Sequence, residues 1–76
     1  MSKILFELER GSLGVFRILE GNYKDKNYID IRMFERDAKT LELIPTRKGV
    51  VLPASLAPEL ANALLKVEVK NEQEAN

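Results

Sequence analysis

The sequence contains no cysteine, no histidine and no tryptophan. Without cysteine a disulfide framework is excluded, and without cysteine and histidine a zinc finger is excluded as well. The cysteine thiolate and the histidine imidazole, two common catalytic groups, are therefore both missing. The serines lie in terminal, turn or cap positions, and no serine–lysine motif or phosphate-binding loop is present. We predict that the chain is not an enzyme and that it has no metal site and no cofactor.

Long apolar runs are also absent. No run approaches the ~20 residues of a membrane span, and the N-terminus lacks the hydrophobic region of a signal peptide. We expect a cytosolic protein without a membrane partner. Its 76 residues form one small domain over residues 1–70, followed by a disordered polar tail at 71–76. A domain of this size buries only about 60% of its unfolded surface, so we expect oligomerisation to stabilise it.

The net charge is zero, with 12 basic and 12 acidic residues, which by itself argues against nucleic-acid binding. The charged residues are, however, unevenly distributed along the chain. Residues 10–52 carry nine cations and six acidic residues, whereas the acidic residues are concentrated near both ends of the chain. Because binding depends on the local field over a surface, the central segment indicates a modest basic patch.

Alternating apolar residues predict four strands, at residues 3–10, 15–20, 27–34 and 41–52. In the third strand, Ile29, Ile31 and Met33 indicate a buried face. A polar loop over residues 21–26 precedes it. Pro45 interrupts the fourth strand and removes a ladder donor, so this strand should lie at an edge of the sheet or contain a bulge.

A single helix is predicted after the strands, with Ser55 as its N-cap and Pro58 in its first turn. One helix covers about 10 Å of width, whereas four strands at ~4.8 Å spacing span nearly twice that width. A second copy of the chain should cover the remaining apolar surface. The helical apolar stripe is read as core and as dimer interface, and the interface residues are Leu56, Leu60, Leu64 and Val67.

Two segments carry features of a nucleic-acid site. On the other face of the third strand, Arg32 lies between Tyr28 and Phe34, and Asp30 should form an ion pair that orients Arg32. Arginine pairs with phosphate, and aromatic rings stack on unpaired bases. In the second segment, two adjacent cations lie between a proline and a glycine, at residues 45–49. The alternative for these segments is a solvated strand face and a charged turn.

Two motifs carry a family resemblance, namely Tyr-Ile-Asp-Ile-Arg at 28–32 and Pro-x-Arg-Lys-Gly at 45–49. Together they resemble the core of the transcriptional positive cofactor 4 family. The resemblance extends over roughly residues 4–67. It implies an α+β, Whirly-like fold in which a curved four-stranded antiparallel sheet precedes one C-terminal helix (ββββα), in a homodimer. It also implies single-stranded-DNA binding.

The same resemblance implies roles for individual residues. Arg32 would contact the DNA backbone, and residues 45–49 match the family's Pro-Gly-Arg-Lys-Gly element except at Thr46. Residues 23–26 resemble its aromatic-Lys-Gly-Lys hairpin, with Asp25 in place of glycine. The family's stacking tryptophan is missing, and Phe34 is the nearest substitute. The predicted nucleic-acid-binding residues are Arg17, Tyr23, Lys24, Lys26, Tyr28, Arg32, Phe34, Pro45, Arg47 and Lys48.

The resulting prediction is a homodimeric single-stranded-DNA-binding protein with weak sequence preference, acting in transcription, replication or recombination. Melted duplex could also serve as its ligand. Two alternatives stay open, namely RNA as the ligand and a dimeric protein-interaction module. The family's long serine-rich arm is absent, so we expect a bacterial or viral protein located in the cytoplasm with the nucleoid.

Overall fold

The structure, a computed structural model, describes residues 2–69. Four antiparallel strands form one sheet in the order β1-β2-β3-β4. A short 3-10 turn and one helix, α1, follow them. This confirms the predicted α+β class and the ββββα order, whereas the predicted tail at 71–76 lies outside the described residues. The bounds are β1 Ser2–Arg10, β2 Gly14–Tyr23, β3 Lys26–Arg36, β4 Leu43–Pro53, the 3-10 turn Ala54–Leu56 and α1 Ala57–Leu64.

Cross-strand pairing assigns the side chains of the sheet to two faces. Residues directly opposite each other on antiparallel strands lie on the same face, and successive residues alternate. One face, here called the arginine face, carries Val15, Arg17, Tyr28, Asp30, Arg32 and Phe34. The other, here called the apolar face, carries Phe6, Leu8, Phe16, Ile18, Ile29, Ile31 and Met33.

The most deeply buried side chains are divided between the two faces. Ile29 is 6% exposed on the apolar face, as predicted. Val15 and Phe34 are 0% and 8% exposed, and both lie on the arginine face. The predicted division into one buried face and one open face is therefore wrong at Phe34. The reason is local, since the side chain of Arg17 covers this ring.

The β2–β3 connection is shorter than predicted. β2 continues to Tyr23 and β3 begins at Lys26, so only Lys24 and Asp25 form the turn. Their φ angles are 52° and 64°, and a two-residue hairpin turn of type I′ requires positive φ at both central positions. Tyr23 and Lys26 are consequently paired strand ends rather than parts of a mobile loop.

β4 is an edge strand and also contains a bulge, so both structures predicted from Pro45 are present. Arg32 pairs with Gly49 and Phe34 pairs with Pro45, which leaves residues 46–48 opposite Met33 alone. We call residues 46–48 the basic bulge. The strand begins at Leu43, two residues later than predicted.

The turn before β4 is closed by hydrogen bonds to Asp37. Its carboxylate accepts hydrogen bonds from the backbone N–H groups of Thr40 (3.0 Å) and Lys39 (2.8 Å). These bonds favour the ionised form and lower the pKa of Asp37 from its ordinary value. Leu41, with φ of 64°, donates its backbone N–H to the carbonyl of Asp37 at 2.8 Å. The chain at this point is turn rather than the predicted start of β4.

The helix differs from the prediction in its cap, its length and its packing. Leu56 occupies the N-cap position and no side chain caps the helix, so the cap predicted at Ser55 is wrong, whereas Pro58 does lie in the first turn. Val67 lies beyond the helix end. No residue of α1 is buried, and Leu64 is 59% exposed. The core role predicted for the stripe is therefore wrong within one chain, because the 3-10 turn rather than α1 packs against β3.

The described chain is flat, with extents of 38 × 38 × 18 Å. Its radius of gyration is 14.5 Å, whereas a compact domain of this length has about 11 Å. Phe6 and Leu8 on the apolar face are each 47% exposed, and the helix adds further exposed leucines. A large apolar surface is thus uncovered in the single chain. No helix among the described residues combines the length and the apolar character that a membrane span requires.

Candidate nucleic-acid interface

The arginine face has at its centre a row of four cross-strand partners, Glu7, Arg17, Arg32 and Gly49. Two cations lie directly opposite each other in this row, which is unfavourable unless each is neutralised. Glu7 Oε2 lies 2.6 Å from Arg17 Nε, and Arg32 Nε donates to Asp30 Oδ1 at 3.0 Å. The predicted Asp30–Arg32 pair is confirmed. Glu7 was missed, although the alternation of β1 could have indicated it.

Gly49 provides the space for the side chain of Arg32. A Cβ at this position would lie 2.8 Å from Cβ and Cγ of Arg32 and 2.7 Å from the carbonyl oxygen of Ile31. Any larger residue would therefore displace either the arginine or the strand. The glycine of the Arg-Lys-Gly segment thus serves the row of arginines rather than a turn.

Phe34 forms the support beneath Arg17. The guanidinium carbon of Arg17 lies 5.0 Å from the centroid of the Phe34 ring, which is within the range of a cation–π contact. Because the ring is only 8% exposed, it has no open face for a base. The stacking role predicted for Phe34 does not fit this position, and the ring instead orients a cation.

The basic bulge is attached to β3 through Thr46. Arg32 Nη1 donates to the carbonyl of Thr46 at 2.8 Å, and the Thr46 hydroxyl donates to the carbonyl of Met33 at 2.7 Å. The same hydroxyl accepts the backbone N–H of Lys48 at 3.1 Å. Thr46 therefore stabilises a fixed backbone where the resemblance implies a freely rotating glycine.

The attachment of the bulge leaves its cations open to solvent. Arg47 and Lys48 are exposed, and neither forms an ion pair with any residue in the range 2–69. Arg36 differs from them, because its Nη2 lies 2.9 Å from Glu9 Oε2. The free positive charge of this edge is consequently concentrated on the bulge.

The hairpin end of the arginine face carries both tyrosines. Tyr23 is 67% exposed, and Lys24 Nζ lies 5.3 Å from its ring centroid. The ring of Tyr28 lies over Gly21, where any Cβ would collide with it. An open cavity of about 580 Å³ lies on this face, between the end of the hairpin and the end of β4. Its lining residues are Tyr23, Lys26, Asn27, Tyr28, Asp30, Val51, Leu52 and Pro53.

Most residues predicted for the site therefore lie along one surface. Register places Tyr23, Lys26, Tyr28, Arg17 and Arg32 on the arginine face. Lys24 forms the hairpin tip, and the edge strand contributes Pro45, Arg47 and Lys48. No group of three or more His, Cys, Asp or Glu side chains suited to a metal ion occurs in the described part of the chain.

Comparison with known proteins identifies the family. Residues 16–67 match the family Transcriptional Coactivator p15 (PC4). No curated protein matches the chain. A crystal structure of BPSL1147, a PC4 homologue from Burkholderia pseudomallei, superposes with a TM-score of 0.74 at 23% identity. The superposition covers 86% of this chain and 94% of that one, and it supports the fold.

A second similar structure is the bacteriophage T5 homologue of the eukaryotic transcription coactivator PC4, which is implicated in recombination-dependent DNA replication. It has a TM-score of 0.62 at 27% identity, and the match covers 84% of this chain and 70% of that one. The family match extends over more than half of the sequence and includes both motif segments. The chain belongs to the Transcriptional Coactivator p15 (PC4) family.

Proposed function

We propose that this protein binds single-stranded DNA with weak sequence preference, as a dimeric PC4-type coactivator. The observation that carries the proposal is the arrangement of the arginine face. Two oriented arginines lie side by side on β2 and β3, and the basic bulge presents at the adjacent edge two cations without an ionic partner in residues 2–69. Such a surface suits a chain of phosphates more than it suits a compact ligand.

Phosphate contacts are assigned chiefly to the exposed cations. Arg47 and Lys48 on the bulge, and Lys24 and Lys26 at the hairpin, have no ionic partner among the described residues. Arg32 has a different principal role, since its side chain is only 18% exposed and two of its nitrogens are already hydrogen-bonded. It positions the bulge, and Arg17 supplies a partly neutralised charge beside it.

The rings provide the preference for single strands. Tyr23 is open to solvent, and Tyr28 lines the cavity at the same end of the sheet. Base faces stack on such rings only when they are unpaired, because a duplex hides them within its own stack. A paired duplex would therefore be restricted to the phosphate contacts.

Dimerisation follows from the uncovered apolar surface. The proposed interface combines the apolar face with the leucines of the helical region, including Leu56, Leu60 and Leu64, together with Val67. A second copy would bury side chains that a single chain leaves exposed, which is the main stabilising contribution in so small a domain. The T5 homologue supports recombination and replication, beside transcription, as processes in which such a dimer acts.

A fluorescence-anisotropy titration tests the function. The full chain is titrated with one labelled single strand, with the duplex of the same sequence and with the single-stranded RNA of that sequence. We expect the DNA single strand to bind most tightly. Equal affinity for the single strand and the duplex would show that the protein is only attracted non-specifically to the phosphate backbone. Tighter binding of the RNA strand would show that RNA, rather than DNA, is the ligand.

A further inference from the structure

We propose that the cavity at the hairpin end of the arginine face is a base subsite that takes one unpaired guanine. The inference rests on the proposed function and deepens it, because it gives a weakly selective surface one selective position. Three properties of the cavity support it, namely its aromatic walls, the fixed carboxylate in its lining and its place on the arginine face.

The walls of the cavity suit a flat ring. The Tyr28 ring is fixed, since it rests on Gly21 and no side chain could be inserted beneath it. Across the β3–β4 pair, Pro53 lies opposite Tyr28 and Val51 lies opposite Asp30. These side chains form an apolar opening, which a base can enter while its edge faces the interior.

The carboxylate of Asp30 defines the hydrogen-bonding character of the lining. Its side chain is 19% exposed, and Arg32 Nε lies 3.0 and 3.2 Å from its two oxygens. These contacts orient the carboxylate, and its remaining lone pairs can still accept hydrogen bonds. A carboxylate excludes a phosphate from this position and favours a ligand that offers N–H donors.

Guanine is the base whose edge matches two carboxylate oxygens. Its N1–H and its 2-amino group are adjacent donors, whereas each of the other three bases has only one donor group on its Watson–Crick edge. The acceptor O6 of guanine then requires a donor, and the lining supplies the ammonium group of Lys26. Lys26 shares the arginine face with Asp30, and it forms no ion pair with any residue in the range 2–69.

The position of the cavity favours a base of a bound strand over an independent small molecule. The same face of β3 carries Tyr28, Asp30 and Arg32, which are two residues apart from each other along the strand. The subsite is therefore continuous with the row of arginines. A strand that follows β3 past the bulge cations would bring its bases to the cavity. Without a base donor, the Asp30 carboxylate would only weaken binding to this face.

Thymidine oligomers that carry one internal deoxyguanosine test the subsite in the anisotropy assay. We expect the guanine oligomer to bind at least about fivefold more tightly than the plain thymidine oligomer. Replacing guanine by hypoxanthine, which lacks the 2-amino group, should remove most of that gain. Equal affinities would overturn the subsite, whereas failure of every oligomer to bind would instead overturn the proposed function.

Two variants locate the preference in the cavity. Val51→Phe fills the cavity from an exposed position on the edge strand, and it should abolish the guanine preference. The matched control Leu41→Phe adds a ring at an exposed position of the β3–β4 turn, outside the cavity, and should retain it. Asp30→Asn keeps the shape but replaces one acceptor by a donor, so guanine should lose its advantage. A preference that survives Val51→Phe in a folded protein would place the guanine contact elsewhere and overturn the proposal.

Discussion

Arg17 and Arg32 lie opposite each other with side chains only 20% and 18% exposed. Each has a carboxylate partner, and each also contacts a second group, the Phe34 ring or the Thr46 carbonyl. These contacts fix the two guanidinium groups before any ligand arrives. Arg17 can therefore add its charge to phosphate binding with a small loss of side-chain entropy, whereas Arg32 holds the basic bulge in place.

Phe34 and Tyr23 should respond in opposite ways to substitution. Phe34→Leu removes buried ring atoms and should lower the free energy of unfolding by ~1–2 kcal/mol. Tyr23→Ala removes an exposed ring, so it should leave stability within ~0.5 kcal/mol and weaken single-strand binding by ~1–3 kcal/mol. Urea unfolding and anisotropy titrations of both variants separate the two roles. If Phe34→Leu retained full stability but bound the single strand more weakly, the result would support a stacking role for Phe34.

The sequence was informative about which residues share the candidate surface and less informative about their surroundings. The Asp30–Arg32 pair follows from spacing on one strand, because residues two apart share a face. The burial of Phe34 does not, since it depends on Arg17 reaching across from β2. Contacts between strands can be predicted only when the register of the strands is known. For β2, the hydrophobic pattern alone did not show which face is buried.

At the level of elements, the basic bulge depends on one hydroxyl. Thr46→Val preserves the shape and removes the bonds to the Met33 carbonyl and the Lys48 N–H, at a cost of about 1 kcal/mol in stability. Binding should weaken several-fold with an unchanged salt dependence, because both cations remain. Thr46→Ser keeps the hydroxyl and serves as the control. Wild-type affinity in a folded Thr46→Val protein would show that the bulge needs no such attachment.

The turn between β3 and β4 makes stability sensitive to acid. Folding lowers the pKa of Asp37 through the backbone N–H groups of Thr40 and Lys39, so ionised Asp37 stabilises the fold. This contribution is complete above about pH 4 and is lost as the pH falls through the lowered pKa. Urea unfolding across this range should show a weaker acid dependence in Asp37→Asn. If the free energy of unfolding depended on pH identically in both proteins, Asp37 would not contribute to the acid sensitivity.

The number of strands was predictable because alternation reports it directly, and Pro45 indicated an edge position or a bulge for β4, both of which are present. The tight β2–β3 turn was not predicted. Lys24 and Asp25 both adopt positive φ without glycine, a choice that the twist of the paired strands imposes. The helix cap was also wrong, since the chain enters α1 through a 3-10 turn instead of a capping side chain.

At the scale of the whole molecule, the open apolar surface predicts the assembly. Light scattering at low micromolar concentration should give the mass of a dimer, and Leu64→Asp should remove the dimer or unfold the chain. Leu41→Asp is the matched control, since Leu41 in the β3–β4 turn is 60% exposed and Leu64 is 59% exposed. A monomer mass for the unmodified chain, or equal effects of both variants, would contradict the proposed interface.

The exposed apolar surface was predictable from the mismatch in width between one helix and four strands. The helix in fact covers less than expected, because no residue of α1 is buried. The distribution of charge was equally a property of the whole molecule. The chain is neutral overall. Within residues 2–69, Arg17, Arg32 and Arg36 are paired with carboxylates, whereas the bulge cations form no ion pair.

The most direct test of nucleic-acid binding is the salt dependence of single-strand affinity for the unmodified chain and for Arg47→Ala combined with Lys48→Ala. Each phosphate contact on a single strand contributes ~0.7 to the slope of log affinity against log salt. The double variant should therefore bind more weakly, with a slope flatter by roughly 1.4 per engaged subunit. Lys39→Ala, an exposed cation in the β3–β4 turn, should leave the slope unchanged. Weaker binding with an unaltered slope in the double variant would contradict phosphate contacts by the bulge.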